Sequence, residues 1–120
     1  MRKPLIICIV LALAGAVTAS LAMAATPAPR IVKVGDNWFY KSSPRVPTIN
    51  VKRNTTVKFK FVGDDPHNVI GYRGSTKKFS SSIKSSGYYN KKLTTTGTFK
   101  IVCDIHGDYD QSMKIKVVNP

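Results

Sequence analysis

Val57-Lys58-Phe59-Lys60-Phe61-Val62 sets a lysine between apolar residues at every second position, and Met113-Lys114-Ile115-Lys116-Val117-Val118 repeats the pattern near the end of the chain. A period of two puts one kind of side chain on each face of an extended segment, so both stretches read as half-buried strands with a charged outer face. Shorter candidates are Arg30–Val34, Thr48–Val51, His67–Tyr72, Tyr88–Leu93 and Thr98–Cys103. They are separated by turn material such as Gly63-Asp64-Asp65-Pro66, Ser85-Ser86-Gly87 and Thr95-Thr96-Gly97. No stretch sustains a helical period. Several short strands in about a hundred residues predict an all-β fold, an antiparallel Greek-key β-sandwich. The loop from Arg73 to Ser86, rich in serine and lysine, is expected to be mobile.

The first residues have a different character. Arg2 and Lys3 precede an apolar stretch from Leu5 to Val17, and Ala22-Met23-Ala24 fits a small-x-small cleavage site. Residues 1–24 therefore read as a secretory signal peptide, too short in its apolar run for a span of ~20 residues. Residues 25–29 form a proline-containing leader expected to be flexible, and 30–120 a single domain. The expected location is periplasmic or extracellular. Cys8 falls inside the signal, so the exported part keeps Cys103 alone. An unpaired thiol in an oxidising compartment calls for a role other than a disulfide within the chain.

With the signal set aside, the chain keeps His67, Cys103, His106 and Met113 in that order. These are the ligand types of a blue-copper site: a thiolate and two imidazoles that suit copper by softness, and a thioether able to form a weak, long axial bond. No other histidine or cysteine remains in the exported part, so a second metal centre lacks ligands and an enzymatic role is not expected.

Charge supplies the next constraint. The chain carries a formal net charge of +13, and loss of Arg2 and Lys3 with the signal leaves +11. Such a field favours an acidic redox partner protein or an anionic membrane surface, acting through association rate more than through fold. Specific nucleic-acid recognition is not expected, because the lysines alternate along strands and no recognition motif accompanies them. Nothing in the composition calls for more than a monomer.

Asp65-Pro66-His67-Asn68-Val69 resembles the "pHnV" segment of plastocyanin-like cupredoxins, and Gly97-Thr98-Phe99-Lys100-Ile101-Val102-Cys103-Asp104-Ile105-His106 resembles their "GtykfyC-x-x-H" ending, with Met113 opening the final strand. The resemblance runs from about residue 30 to 120. It implies a small β-sandwich holding one Cu(I)/Cu(II) ion, with His67, Cys103 and His106 as equatorial ligands and Met113 as axial ligand. The usual role would be one-electron transfer, with His106 the exposed ligand and His67 the buried one. Asn68 matches the residue that in this family ties the two ligand-bearing segments together. Extracytoplasmic copper capture or delivery would use the same ligands, whereas a metal-free adhesion domain would not need them.

The chain departs from the family between His106 and Met113. Gly107-Asp108-Tyr109-Asp110-Gln111-Ser112 is longer than the plastocyanin-like spacer and has no proline or apolar cluster, which puts a smooth apolar docking patch in question. Asp104, Asp108 and Asp110 make this the acidic end of a basic chain. Gln111 stands as an alternative axial ligand to Met113, as an amide oxygen does in some relatives, with a lower reduction potential.

Overall fold

A computed structural model describes residues 14–16, 25–41, 46–107 and 111–120. Most of the signal reading at 1–24, including Cys8, and the residues Asp108, Tyr109 and Asp110 lie outside the described residues. Residues 25–29 belong to no strand or helix. No helix among the described residues is long and apolar enough to cross a membrane.

Nine strands follow: β1 (Arg30–Gly35), β2 (Trp38–Phe39), β3 (Thr48–Lys52), β4 (Thr55–Phe61), β5 (Ile70–Arg73), β6 (Thr76–Ser80), β7 (Tyr88–Leu93), β8 (Gly97–Val102) and β9 (Ser112–Val118). They form a four-stranded sheet in the order β2-β1-β4-β7 and a five-stranded sheet in the order β3-β9-β8-β5-β6. The expected β-sandwich is what the chain forms. Two of its ladders, β1 with β4 and β3 with β9, run parallel rather than antiparallel. The reason is topological: β3 lies between β1 and β4 in sequence but joins the other sheet, so the chain returns to β1 from the same direction.

The alternation in β4 does what its pattern requires. Val57, Phe59 and Phe61 are buried while Lys60 is exposed. Facing residues Ile49, Val51, Phe99, Ile101, Ile115 and Val117 complete one core between the sheets. A row of rings crosses the layers once: Phe59 stacks on Tyr89 of its own sheet at 6.1 Å, Tyr89 meets Phe79 of the other sheet at 6.4 Å, and Phe79 meets Phe99 beside it at 6.1 Å. Aromatic pairs at such separations add stability beyond simple area burial.

Two strands depart from the sequence reading. Thr76–Ser80, placed in a loop expected to be mobile, is β6 and pairs antiparallel with β5. Its anchor is Phe79, whose ring lies directly against Gly71, where any Cβ would collide with it. The other is β2, joined to β1 by the two-residue hairpin Asp36-Asn37, with Gly35 opposite Trp38 and Asn37 at φ 63°. Asparagine tolerates the left-handed region that tight hairpins demand.

Candidate metal centre

Three segments converge at one end of the sandwich. His67 lies between β4 and β5, and its backbone exchanges two hydrogen bonds with Lys84: the His67 amide donates to the Lys84 carbonyl (2.9 Å) and the Lys84 amide to that of His67 (2.8 Å). Cys103 follows the last residue of β8 and is completely buried. His106 lies in the turn after it and is partly exposed.

The donor atoms face one another. Cys103 Sγ is 3.8 Å from His67 Nδ1 and 4.0 Å from His106 Nδ1, and all three donor atoms lie within 4.8 Å. Bonds of ~2.0–2.3 Å to a single ion place trigonal ligands about 3.5–4 Å apart, so this spacing suits one small metal. The imidazole planes are tilted by 40° with centroids 4.8 Å apart, which keeps the rings from stacking and lets both nitrogens point to a shared centre. Two imidazoles and a thiolate form a soft donor set, as copper prefers.

Outer hydrogen bonds hold the ligands in place. The Asp104 amide donates to Asn68 Oδ1 at 2.9 Å, tying the segment after Cys103 to the residue after His67. This is the link the resemblance implies for Asn68. Sequence reasoning missed Asp36, whose Oδ1 accepts from His67 Nε2 at 2.8 Å. Its carboxylate also accepts the amides of Asp64 (3.0 Å) and Asp65 (3.1 Å). These bonds lower the Asp36 pKa from 3.8 to about 2, the His67 bond contributing most and the two amides next. An ionised carboxylate only accepts, so Nε2 is the donor to it, and Nδ1 is the ring nitrogen left facing Cys103. The available signal was the Asp-Asn turn before Trp38, which predicts a hairpin tip but not the ring it meets 31 residues later.

The entry to β9 closes the site from the other side. Met113 is fully buried and pairs with Ile101, and Gln111 is fully buried beside Cys103, whose amide donates to the Gln111 carbonyl at 3.3 Å. The structure thus brings His67, Cys103 and His106 together and places Met113 in the adjoining core.

No family model and no curated protein sequence matches the chain. Solved structures do. A Cu-containing nitrite reductase from Thermus scotoductus SA-01 superposes with TM-score 0.60 at 23% identity over 85% of this chain, which spans only 25% of the enzyme's length. A purple cupredoxin from Nitrosopumilus maritimus gives TM-score 0.60 at 15% identity, covering 74% of this chain and 99% of that one. An oxidised methionine-to-lysine mutant of amicyanin gives 0.57 at 21% identity, covering 75% of this chain and 82% of that one. With its two-sheet topology and these neighbours, the chain has the cupredoxin fold, and His67, Cys103 and His106 form a donor set able to hold one copper ion.

Proposed function

We propose that this chain is an exported one-electron carrier with a single type 1 copper ion, which His67 Nδ1, Cys103 Sγ and His106 Nδ1 would hold together with a further donor from the entry to β9. The observation that carries the reading is the convergence of two imidazole nitrogens on one buried thiol, 3.8 and 4.0 Å away. When bound, copper supplies the chemistry by alternating between Cu(II) and Cu(I) with the gain and loss of one electron. The chain's part is to keep the donors still. His67 is held by Lys84 and Asp36, and Cys103 sits on a strand end tied to Gln111 and, through its carbonyl, to the Gly107 amide at 2.8 Å. Ligands fixed in this way limit rearrangement between the two oxidation states.

His106 is the one partly exposed member of the set and supplies the route by which an electron passes to a partner. The chain's two histidines are both used here, so none is left for a second copper centre of the kind an enzyme would need. The signal-like sequence of residues 1–24, a basic start, an apolar run and Ala22-Met23-Ala24, supports action outside the cytoplasmic membrane. A second reading, copper delivery, draws on the same exposure of His106, through which an acceptor could reach the ion. A carrier cycles reversibly and keeps its copper against an acceptor, whereas a delivery protein gives it up.

The test is optical. The chain loaded with Cu(II) should show an intense thiolate-to-copper visible band and the matching paramagnetic resonance spectrum, and Cys103→Ser should abolish both. A colourless wild type, or Cys103 bridged to another thiol, would sink the proposal.

A further inference from the structure

Gln111 has an oddly divided side chain. Its Nε2 donates to the Gly35 carbonyl at 2.7 Å and to the Trp38 carbonyl at 3.1 Å, both on the hairpin that also carries Asp36. Its Oε1 is fully buried and has no hydrogen-bond partner. The two carbonyls settle which end of the amide is nitrogen, since the flipped amide would set an oxygen against two oxygens. A buried carbonyl oxygen left unpaired has lost its hydration with nothing in exchange, so its retention asks for a partner. Among the buried side-chain nitrogen and oxygen atoms of the described residues, Oε1 is the one left without a partner.

Register says which residue Gln111 stands beside. In the β8–β9 ladder Ile101 opposes Met113 and Val102 opposes Ser112, so the next step opposes Cys103 to Gln111, as their backbone hydrogen bond shows. Opposed residues of an antiparallel pair share a face, with Cβ atoms ~4.5–5.5 Å apart. The alternation Phe99, Ile101, Cys103 and Ile115, Met113, Gln111 therefore runs along the inner face of the sandwich, toward the donor cluster. Met113 is level with Ile101, two residues or about 6.6 Å deeper along the strand than the thiol. It belongs to the apolar core, with Ile101 and Ile115.

We infer that the fourth ligand of the centre is Gln111, through Oε1, and that Met113 is a packing residue. This rests on the copper reading above and names the ligand within it. The hairpin carbonyls of Gly35 and Trp38 then act as a clamp that turns the amide oxygen to the metal. One hairpin would thus orient two ligands, His67 through Asp36 and Gln111 through its own backbone. An amide oxygen is a harder donor than a thioether and favours Cu(II) over Cu(I).

The test uses the full chain loaded with metal. In the Co(II)-loaded wild type, paramagnetic NMR should show strongly shifted signals from the Gln111 γ-methylene and none from the Met113 methyl. In the copper-loaded chain, Gln111→Met should shift the balance at least tenfold toward Cu(I), which is about 59 mV upward for a one-electron couple. Gln111→Leu should move it the same way. Met113→Leu, which keeps the core volume, should change it less than threefold and leave the paramagnetic resonance spectrum as in wild type. Melting of each metal-free variant checks folding, and the wild-type Co(II) spectrum decides the matter even where a variant fails to fold. Shifted Met113 signals without Gln111 signals, or a potential moved by Met113→Leu and untouched by Gln111→Met, would overturn the inference and leave the carrier reading standing. A wild type with no thiolate band would overturn both.

Discussion

Asp36 shows how one carboxylate can set the chemistry of a ligand it does not replace. By accepting from Nε2 it fixes the His67 tautomer and raises the basicity of Nδ1, and outer partners of this kind typically carry about 10–100-fold in metal affinity. Asp36→Asn should weaken Cu(II) binding by that order in a competition titration, while the nearly isosteric amide leaves the fold intact. The neighbouring glycine takes part: Gly63 lies directly against the Asp36 carboxylate, where a Cβ would displace it, so Gly63→Ala should reproduce part of the same loss. A pH effect follows with a definite sign. The Asp36 pKa is depressed in the folded chain, so its contribution to stability is fully present above about 3.8 and is lost as pH falls toward about 2. Urea unfolding of the metal-free protein at about pH 4.5, above that window, and at about pH 2.5, well inside it, should show a drop in wild type that is smaller in Asp36→Asn.

Among the elements, β6 depends most on one side chain. Its burial pattern has a single buried position, Phe79, which reaches the core by lying over Gly71 of β5. Phe79→Ala removes a ring that touches both Tyr89 and Phe99, and should cost about 3 kcal/mol, the lower end for such truncations because β6 is an edge strand. The midpoint in guanidinium should fall accordingly. The copper band should persist, since Phe79 is not among the donors or their hydrogen-bond partners. The β1–β2 hairpin serves both the core and the site. It buries Val32, Val34 and Phe39 between the sheets, and it also holds Asp36 against His67 and receives both hydrogens of the Gln111 amide.

For the molecule as a whole, charge is divided by position. Every acidic residue among the described residues lies at the metal end: Asp36 at the hairpin tip, Asp64 and Asp65 beside it, and Asp104 after Cys103. The outer face of the β1-β4-β7 sheet has no carboxylate, and its rows pair Lys33 with Lys60 and Lys60 with Tyr88, while Lys58 approaches the Tyr88 ring at 5.2 Å. We expect an acidic partner or anionic surface to be drawn to this sheet, and association to slow steeply as salt rises through about 0.1 M, where the Debye length is about 10 Å. Stopped-flow rates at several ionic strengths would check it. A rate indifferent to salt would remove electrostatics from the encounter. Exposed Ile105, beside His106, offers apolar surface at the metal end that the polar spacer does not.

The strands with strict alternation were legible in the sequence because a period of two needs no partner to be read. β4 and β9 fall within two residues of the limits their patterns predict. The ligand types were legible for a related reason: once residues 1–24 are read as a signal, one thiol and two imidazoles remain, and these leave few chemistries open. Segments whose order depends on something distant were not. β6 is polar except for Phe79, and its stability comes from a glycine on another strand. Asp36 looks like an ordinary turn residue until the fold carries it to His67, and Gln111 like spacer until strand register sets it opposite Cys103. Residue identity determined which atoms could bind a metal; tertiary structure decided which of them meet, because strand register sets Gln111 beside Cys103 and the hairpin joins Asp36 to His67 and Gly35 to Gln111, 31 and 76 positions apart.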